Sequence, residues 1–192
     1  YSLETRNEIR EQLNIPDKSI VLVYSGSMGG NYDFSNFSIV FKYFLSQSLD
    51  NKILIINGPN LEMLGKRKES VYGNFTLKDL ENELLKESET LGCNLDFFQS
   101  NIEGEIINKI NGLDESYVGI IINPGGLTHT SVSLHDSLEI KTIFKIEVHL
   151  SNIYSREDFR RKSLIEPACD CSMIGMGKDG LIYALRYLIK NI

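Results

Sequence analysis

Acid–base chemistry needs a side chain whose ionisation can be tuned, and the stretch Lys145, Glu147, His149 places three polar groups at a spacing of two. Along a strand that spacing puts all three on one face. In a sheet covered on both sides the arrangement is costly, which favours a working His149 over a merely hydrogen-bonded structural one. Two further polar stretches follow apolar runs. The first is the long, glycine-flanked loop from Asn57 through Asn60 and Arg67 to Tyr72 and Gly73, which exceeds a plain connection and suggests a lid. The second is Asn123-Pro-Gly-Gly-Leu-Thr128-His129-Thr130-Ser131. With His149-Leu150-Ser151-Asn152, these loops bring an amide and two histidines to one edge. Arg156 and Arg160 stand four apart on an expected helix, with Arg161 and Lys162 beside them. Such a run is either a solvated face or a carboxylate-binding patch, and in a chain of net charge −6 a local basic cluster is where an anion would be met.

Other polar patterns carry less. Gly175-Met-Gly177-Lys-Asp-Gly180 has the spacing of a dinucleotide loop, yet it lies too near the carboxyl end for the acidic partner about 20 residues on. Its glycines are expected to serve a tight turn and close helix packing. Cys169 and Cys171 are one residue apart with no second ligand pair, so no metal site is expected. Ser131, His129 and Asp136 crowd one helix start and lack the nucleophile elbow of a hydrolase.

The elements that must position these groups are short apolar runs alternating with helical patterns, the signature of βαβ units and a parallel sheet. Strands are expected at 53–56, 95–99, 118–122, 142–148 and 171–174. Open parallel sheets bind ligands beyond the carboxyl ends of their strands, where the polar loops fall. Thr76 with Asp79 forms a capping-box pattern ahead of Leu77, Leu80, Leu84 and Leu91, and Gly92 ends that helix. A second helix is expected over about 102–110, with Ser100 as its cap, Ile106, Ile107 and Ile110 facing inward and Gly112 as its stop. A last helix is expected over 181–189.

Composition sets the outer bounds. A chain of 192 residues with 42% hydrophobic and 24% charged residues reads as an ordinary globular protein with a sizeable core. The acidic balance, with a pI near 5.2, argues against nonspecific binding to nucleic acid or to an anionic membrane. The apolar run around 117–122 is far short of a membrane span, no export signal is evident, and three cysteines suit a reducing compartment. A cytoplasmic location is the expectation.

With these residues on the page, the stretch 52–192 closely resembles type II 3-dehydroquinate dehydratase, the small flavodoxin-like enzyme of the shikimate pathway. The resemblance rests on Asn57-Gly-Pro-Asn-Leu61, Leu64-Gly-Lys-Arg67, Tyr72-Gly73, Gly125-Gly-Leu-Thr-His-Thr-Ser131, Ile146-Glu-Val-His149 with Ser151-Asn152, and Arg156-Glu-Asp-Phe-Arg-Arg161. It departs from the usual family pattern at Lys68-Glu69, where Glu-Pro is usual, and at Pro124, where alanine is frequent. The resemblance implies an α/β, five-stranded parallel sheet with helices on both faces, and reversible anti elimination of water from 3-dehydroquinate through an enolate. It implies no metal, no cofactor and no Schiff-base lysine.

Carried over by position, it makes Tyr72 the general base, acting as a tyrosinate, and Arg67 the arginine that lowers its pKa. His149 becomes the general acid at the departing C1 hydroxyl, with Glu147 orienting it, and Asn60 holds the water that stabilises the enolate. Asn123 with the backbone of Leu150 and Ser151 receives the substrate carboxylate, His129 and Arg160 meet its hydroxyls, and Asp136 reaches a neighbouring subunit's site. The implied assembly is a homo-oligomer, a dodecamer built from trimers.

The first stretch, 1–51, has a different character. An apolar run at 20–24, a glycine turn Ser25-Gly-Ser-Met-Gly-Gly30 and a helical pattern over 37–48 make one βα unit, weakly similar to the opening of the carboxyl-terminal domain of a GT-B glycosyltransferase. One such unit cannot bury its own faces or form a sugar-nucleotide site, so it is expected to be an appendage to the catalytic domain 52–192. The competing expectation for the whole chain is a catalytically silent, oligomeric flavodoxin-like binding module, which would have no reason to keep Tyr72, Arg67, His149 and Asn60 together.

Overall fold

A computed structural model describes residues 51–66 and 75–192. The expected strand and helix over 20–48, and the positions Arg67 and Tyr72, lie outside the described residues. Five strands run parallel: β1 (Lys52–Asn57), β2 (Asn94–Gln99), β3 (Tyr117–Asn123), β4 (Phe144–His149) and β5 (Cys171–Ile174). Their order across the sheet is β2-β1-β3-β4-β5, with the chain reversing its direction of travel between β1 and β3. That is the flavodoxin-like order, and its reversal point is where such sheets open a crevice at the carboxyl ends of the strands.

The strands form because their residues suit a sheet buried on both faces. Ile53, Leu54, Ile55 and Ile56 of β1 are wholly buried, as are Ile120, Ile121 and Ile122 of β3. Alternate residues point to opposite faces. Ile53, Ile55, Ile121 and Ile146 pack with Leu80 and Leu84 of α1 (Leu77–Leu91) and with Leu181, Leu185 and Leu188 of α4 (Asp179–Asn191). On the opposite face Leu54, Ile56, Ile120 and Ile122 pack with Ile106 and Ile110 of α2 (Glu103–Asn111) and Leu134 and Leu138 of α3 (Val132–Glu139). Each such side chain contributes about 1.5–3 kcal/mol by leaving water, so the two apolar layers fix the sheet against its helices.

Helix α1 has the expected reciprocal capping box of Thr76 and Asp79 and stops at Gly92, which takes a left-handed φ of 68°. The bond from the Thr76 amide holds the Asp79 carboxyl below its ordinary range, with the Thr76 hydroxyl adding to the effect. Gly112 ends α2 as expected, but Ser100 does not cap it. Its hydroxyl instead accepts from the Ile102 amide at 2.9 Å in a local turn, and Ile102 occupies the cap position. Strand β4 starts at Phe144 rather than 142, because its ladder with β3 begins where Gly119 faces Phe144.

The larger correction concerns 153–160. No single helix carries Arg156 and Arg160. Two short 3-10 turns, Ile153–Ser155 and Asp158–Arg160, are separated by extended backbone at Arg156 and Glu157. The Asn152 carboxamide oxygen accepts from the Tyr154 amide at 3.0 Å, starting a turn that ends after one revolution. At Gly175 and Gly177 the φ values are 81° and 60°, as the tight-turn reading of that motif requires. Among the described residues no helix is long and apolar enough to cross a membrane.

Candidate active site

The crevice expected at the strand reversal is present. It lies at the carboxyl ends of β1, β3 and β4 and is lined by Asn60, Asn123, His129, His149, Leu150, Ser151, Arg156 and Arg160, with backbone from Gly125 and Gly126. Two loops meet at its floor with almost no room between them. A Cβ on Gly58 would sit 2.4 Å from the Pro124 carbonyl oxygen, far inside contact distance. Only glycine allows β1's loop to lie that close to β3's, and the Gly58 amide donates to the Asn123 carbonyl at 2.8 Å.

Strand β4 supplies the polar row read from the sequence. Lys145, Glu147 and His149 share a face, as their spacing requires, but they part company there. The Lys145 ammonium turns to the carbonyls of Lys141 at 2.6 Å and Ile143 at 3.2 Å, so it is satisfied at the amino end of the strand. Glu147 is wholly buried, and His149 donates to it from Nε2 at 2.8 Å. The Ser163 hydroxyl lies 3.0 and 2.9 Å from the two Glu147 oxygens, and Thr128 also donates to that carboxylate. Its oxygens thus have the hydrogen-bond partners that a buried carboxyl group requires. The imidazole it holds reaches the crevice wall.

The other groups are fixed from behind. Asn60 has φ 66°, the one non-glycine residue with positive φ among the described residues, and asparagine is among the few types that adopt it readily. Its amide donates to the Asn101 side-chain oxygen at 2.7 Å. Asn101 in turn donates to Glu62 at 2.7 Å, and Gln99 donates to the other Glu62 oxygen at 3.0 Å. Asn123 is buried, and its side-chain oxygen accepts from the Gly125 amide at 3.2 Å. His129 donates from Nδ1 to the Lys162 carbonyl at 2.8 Å, which fixes the ring against the segment that follows the two arginines.

The two arginines converge on Glu157. Arg160 Nε lies 3.1 Å and Arg156 Nε 3.8 Å from its Oε2. The Glu157 backbone amide and the two guanidiniums hold that exposed carboxyl below its usual range. Although the expected helix is absent, both side chains reach the crevice, Arg160 from the second 3-10 turn and Arg156 from the extended link before it.

Of the residues singled out from sequence, Asn60, Asn123, His129, His149, Leu150, Ser151 and Arg160 line one crevice, with Glu147 directly behind His149. Asp136 stands apart, exposed on α3 and outside the crevice lining. Arg67 and Tyr72 fall in the loop outside the described residues. The two groups that grip the site from behind were missed: Gln99 and Asn101, and Thr128 with Ser163. Gln99 and Asn101 carry the same signal as the other loops, polar residues just after an apolar run, at the end of β2. Cysteine chemistry has no part here. Burial pushes the Cys93 thiol up to about 11 and raises Cys169 and Cys171 as well, so the thiols stay protonated and unreactive.

Residues 51–189 match the family described as Dehydroquinase class II. The 3-dehydroquinate dehydratase of Thermotoga neapolitana is 49% identical over 139 residues, covering 72% of this chain and 94% of that protein. 3-Dehydroquinate dehydratase 1 of Agrobacterium fabrum is 44% identical over 144 residues, covering 75% and 99%. Among solved structures, the type II dehydroquinase of Butyrivibrio crossotus superposes with a TM-score of 0.67 at 43% identity, over 72% of this chain and 97% of that one. That of Propionibacterium acnes superposes with a TM-score of 0.71 at 31% identity, over 74% and 99%. The match spans every strand of the sheet and every described residue of the crevice, and the chain belongs to the class II dehydroquinase family.

Proposed function

We propose that this chain is a type II 3-dehydroquinate dehydratase, a hydro-lyase that reversibly removes water from 3-dehydroquinate to give 3-dehydroshikimate in the shikimate pathway. The observation that carries this reading is the buried Glu147 holding His149 at the wall of the same crevice that Asn60, Asn123, His129 and Arg160 line. The substrate's C2 proton is acidified by the C3 ketone. Tyr72, as tyrosinate, takes that proton, and the C2–H electron pair moves into a C3 enolate. The enolate then expels the C1 hydroxyl, which leaves as water with a proton from His149.

The roles of the crevice residues follow from this scheme. With Nε2 engaged by Glu147, His149 delivers its proton from the other ring nitrogen, so the acid form is the imidazolium and the carboxylate is its counter-charge. Asn60 holds the water at the enolate oxygen. Asn123 and the backbone amides of Leu150 and Ser151 receive the substrate carboxylate, and His129 and Arg160 bond its hydroxyls. A free phenol ionises near pH 10, so Tyr72 works at neutral pH only beside positive charge, which Arg67 supplies.

Residues 52–192 are the catalytic domain in this proposal, residues 1–51 an appendage, and the protein a cytoplasmic homo-oligomer, a dodecamer of trimers in which Asp136 completes a neighbour's site. The direct test is the rise in absorbance of the conjugated enone when 3-dehydroquinate is added with chelator present and no cofactor. Tyr72→Phe should lower kcat by about 10²–10⁴ with KM little changed. A rate within a few-fold of the unaltered protein would remove Tyr72 from the mechanism.

A further inference from the structure

A wholly buried carboxylate is stable only where donors surround it, and besides His149 the donors to Glu147 come from two segments far apart in the chain. One is Thr128, in the turn Gly125–His129 after β3. The other is Ser163, just before the short turn Glu166–Ala168. The Ser163 oxygen accepts from the amides of Ile165 at 3.0 Å and Glu166 at 2.9 Å. With those lone pairs engaged, the hydroxyl acts by giving its proton away, and both Glu147 oxygens lie within 3.0 Å of it. Thr128 Oγ1, 3.0 Å from Ser163 Oγ, gives its own proton to Glu147.

The segment carrying Ser163 is tied to the crevice at two more points. The Leu164 amide donates to the Thr128 carbonyl at 2.7 Å, and the Lys162 carbonyl receives His129 Nδ1 at 2.8 Å. It therefore joins the turn that carries His129 to the strand that carries His149.

We propose that Ser163 is a positioning residue for the His149–Glu147 pair: two backbone amides polarise its hydroxyl, which, with Thr128, holds the buried carboxylate turned toward the imidazole. Ser163 does not line the crevice and touches no substrate. The proposal rests on the reading of His149 as the general acid, and two readouts separate the two ideas. The first is steady-state dehydration of 3-dehydroquinate. The second is the nitrogen NMR spectrum of the imidazoles, which is simple because the chain has three histidines.

Ser163→Ala should lower kcat about ten-fold or more with KM within about two-fold, and should shift the His149 nitrogen signals by more than those of His129 and His135, whose Nδ1 atoms bond the neighbouring Lys162 and Leu164 carbonyls. Ser163→Thr, which restores the hydroxyl, should return both to near the original values. Thr128→Val should depress kcat in the same way while leaving the two amides capped by Ser163. If Ser163→Ala does not fold, Ser163→Cys, with its weaker donor, takes its place. Unchanged His149 signals in the folded variant, or a loss that Ser163→Thr does not restore, would overturn the proposal. Shifted signals with an unchanged kcat would uphold the positioning of the pair and overturn His149 as the acid.

Discussion

At the scale of single residues, Glu147 places a carboxyl group where water does not reach it. In the proposed mechanism its wholly buried carboxylate supports the His149 imidazolium, and an amide of the same shape cannot do that. Glu147→Gln should therefore lower kcat by about 10²–10⁴ while changing the melting temperature by only a few degrees, since a buried charge is removed as well as a partner. Steady-state kinetics with a thermal melt on the same preparation would check both, and a large drop in stability with normal kcat in the folded fraction would recast Glu147 as a core residue. Glu147 and His149 were legible because a period of two puts them on one strand face. Thr128 and Ser163 were not, because nothing local marks a serine and a threonine 35 positions apart as donors to one carboxylate. Only the tertiary fold brings them together.

At the scale of elements, local signals were reliable where the governing interaction is itself local. The Thr76–Asp79 box and the Gly92 stop act within one turn, and both are present in α1. The start of β4 depends on where β3 offers partners, and the two 3-10 turns over 153–160 depend on Asn152 and on the walls of the crevice. Arginines four apart could not reveal either. Among the described glycines the closest approach is that of Gly58 to Pro124, whose carbonyl oxygen lies 2.4 Å from a hypothetical Cβ. Gly58→Ala should cost about 1–3 kcal/mol by overpacking backbone against backbone. At this chain length that lowers the melting temperature by roughly 2–4 °C per kcal/mol. Because the displaced loops carry Asn60 and Asn123, kcat/KM for 3-dehydroquinate should fall further than the loss of folded protein accounts for. An alanine variant with unaltered melting and kinetics would show that the loops have slack.

For the whole molecule, the position of Asp136 is informative. It is exposed on α3 and outside the crevice of its own chain, so a catalytic effect of its removal would have to act across a subunit boundary. Asp136→Ala and His149→Gln should each be weakly active alone. Unfolding the two variants together and refolding the mixture should recover up to about a quarter of normal activity, the fraction of sites that draw an intact residue from each subunit in a symmetric ring. No recovery would confine each site to one chain. The five strands and the helices that cover them were visible in advance because hydrophobic runs and helical periods report on each element directly, whereas the strand order β2-β1-β3-β4-β5 came from the structure. Subunit contacts leave no such period.

The meeting of Gly58 with Pro124 also bears on the order of events when the chain folds. This contact joins residues separated by two helices, α1 and α2, and two strands, β2 and β3, and the Glu147–His149 pair comes from a strand later still. Contacts so distant along the chain close slowly, after local helices have formed. During refolding from urea, far-UV dichroism should thus recover before catalytic competence does, with the gap wider in Gly58→Ala. Enzyme activity would then serve as a clock for the last closure of the sheet, and a stopped-flow experiment in which dichroism and turnover return together would show that the helices wait for the strands.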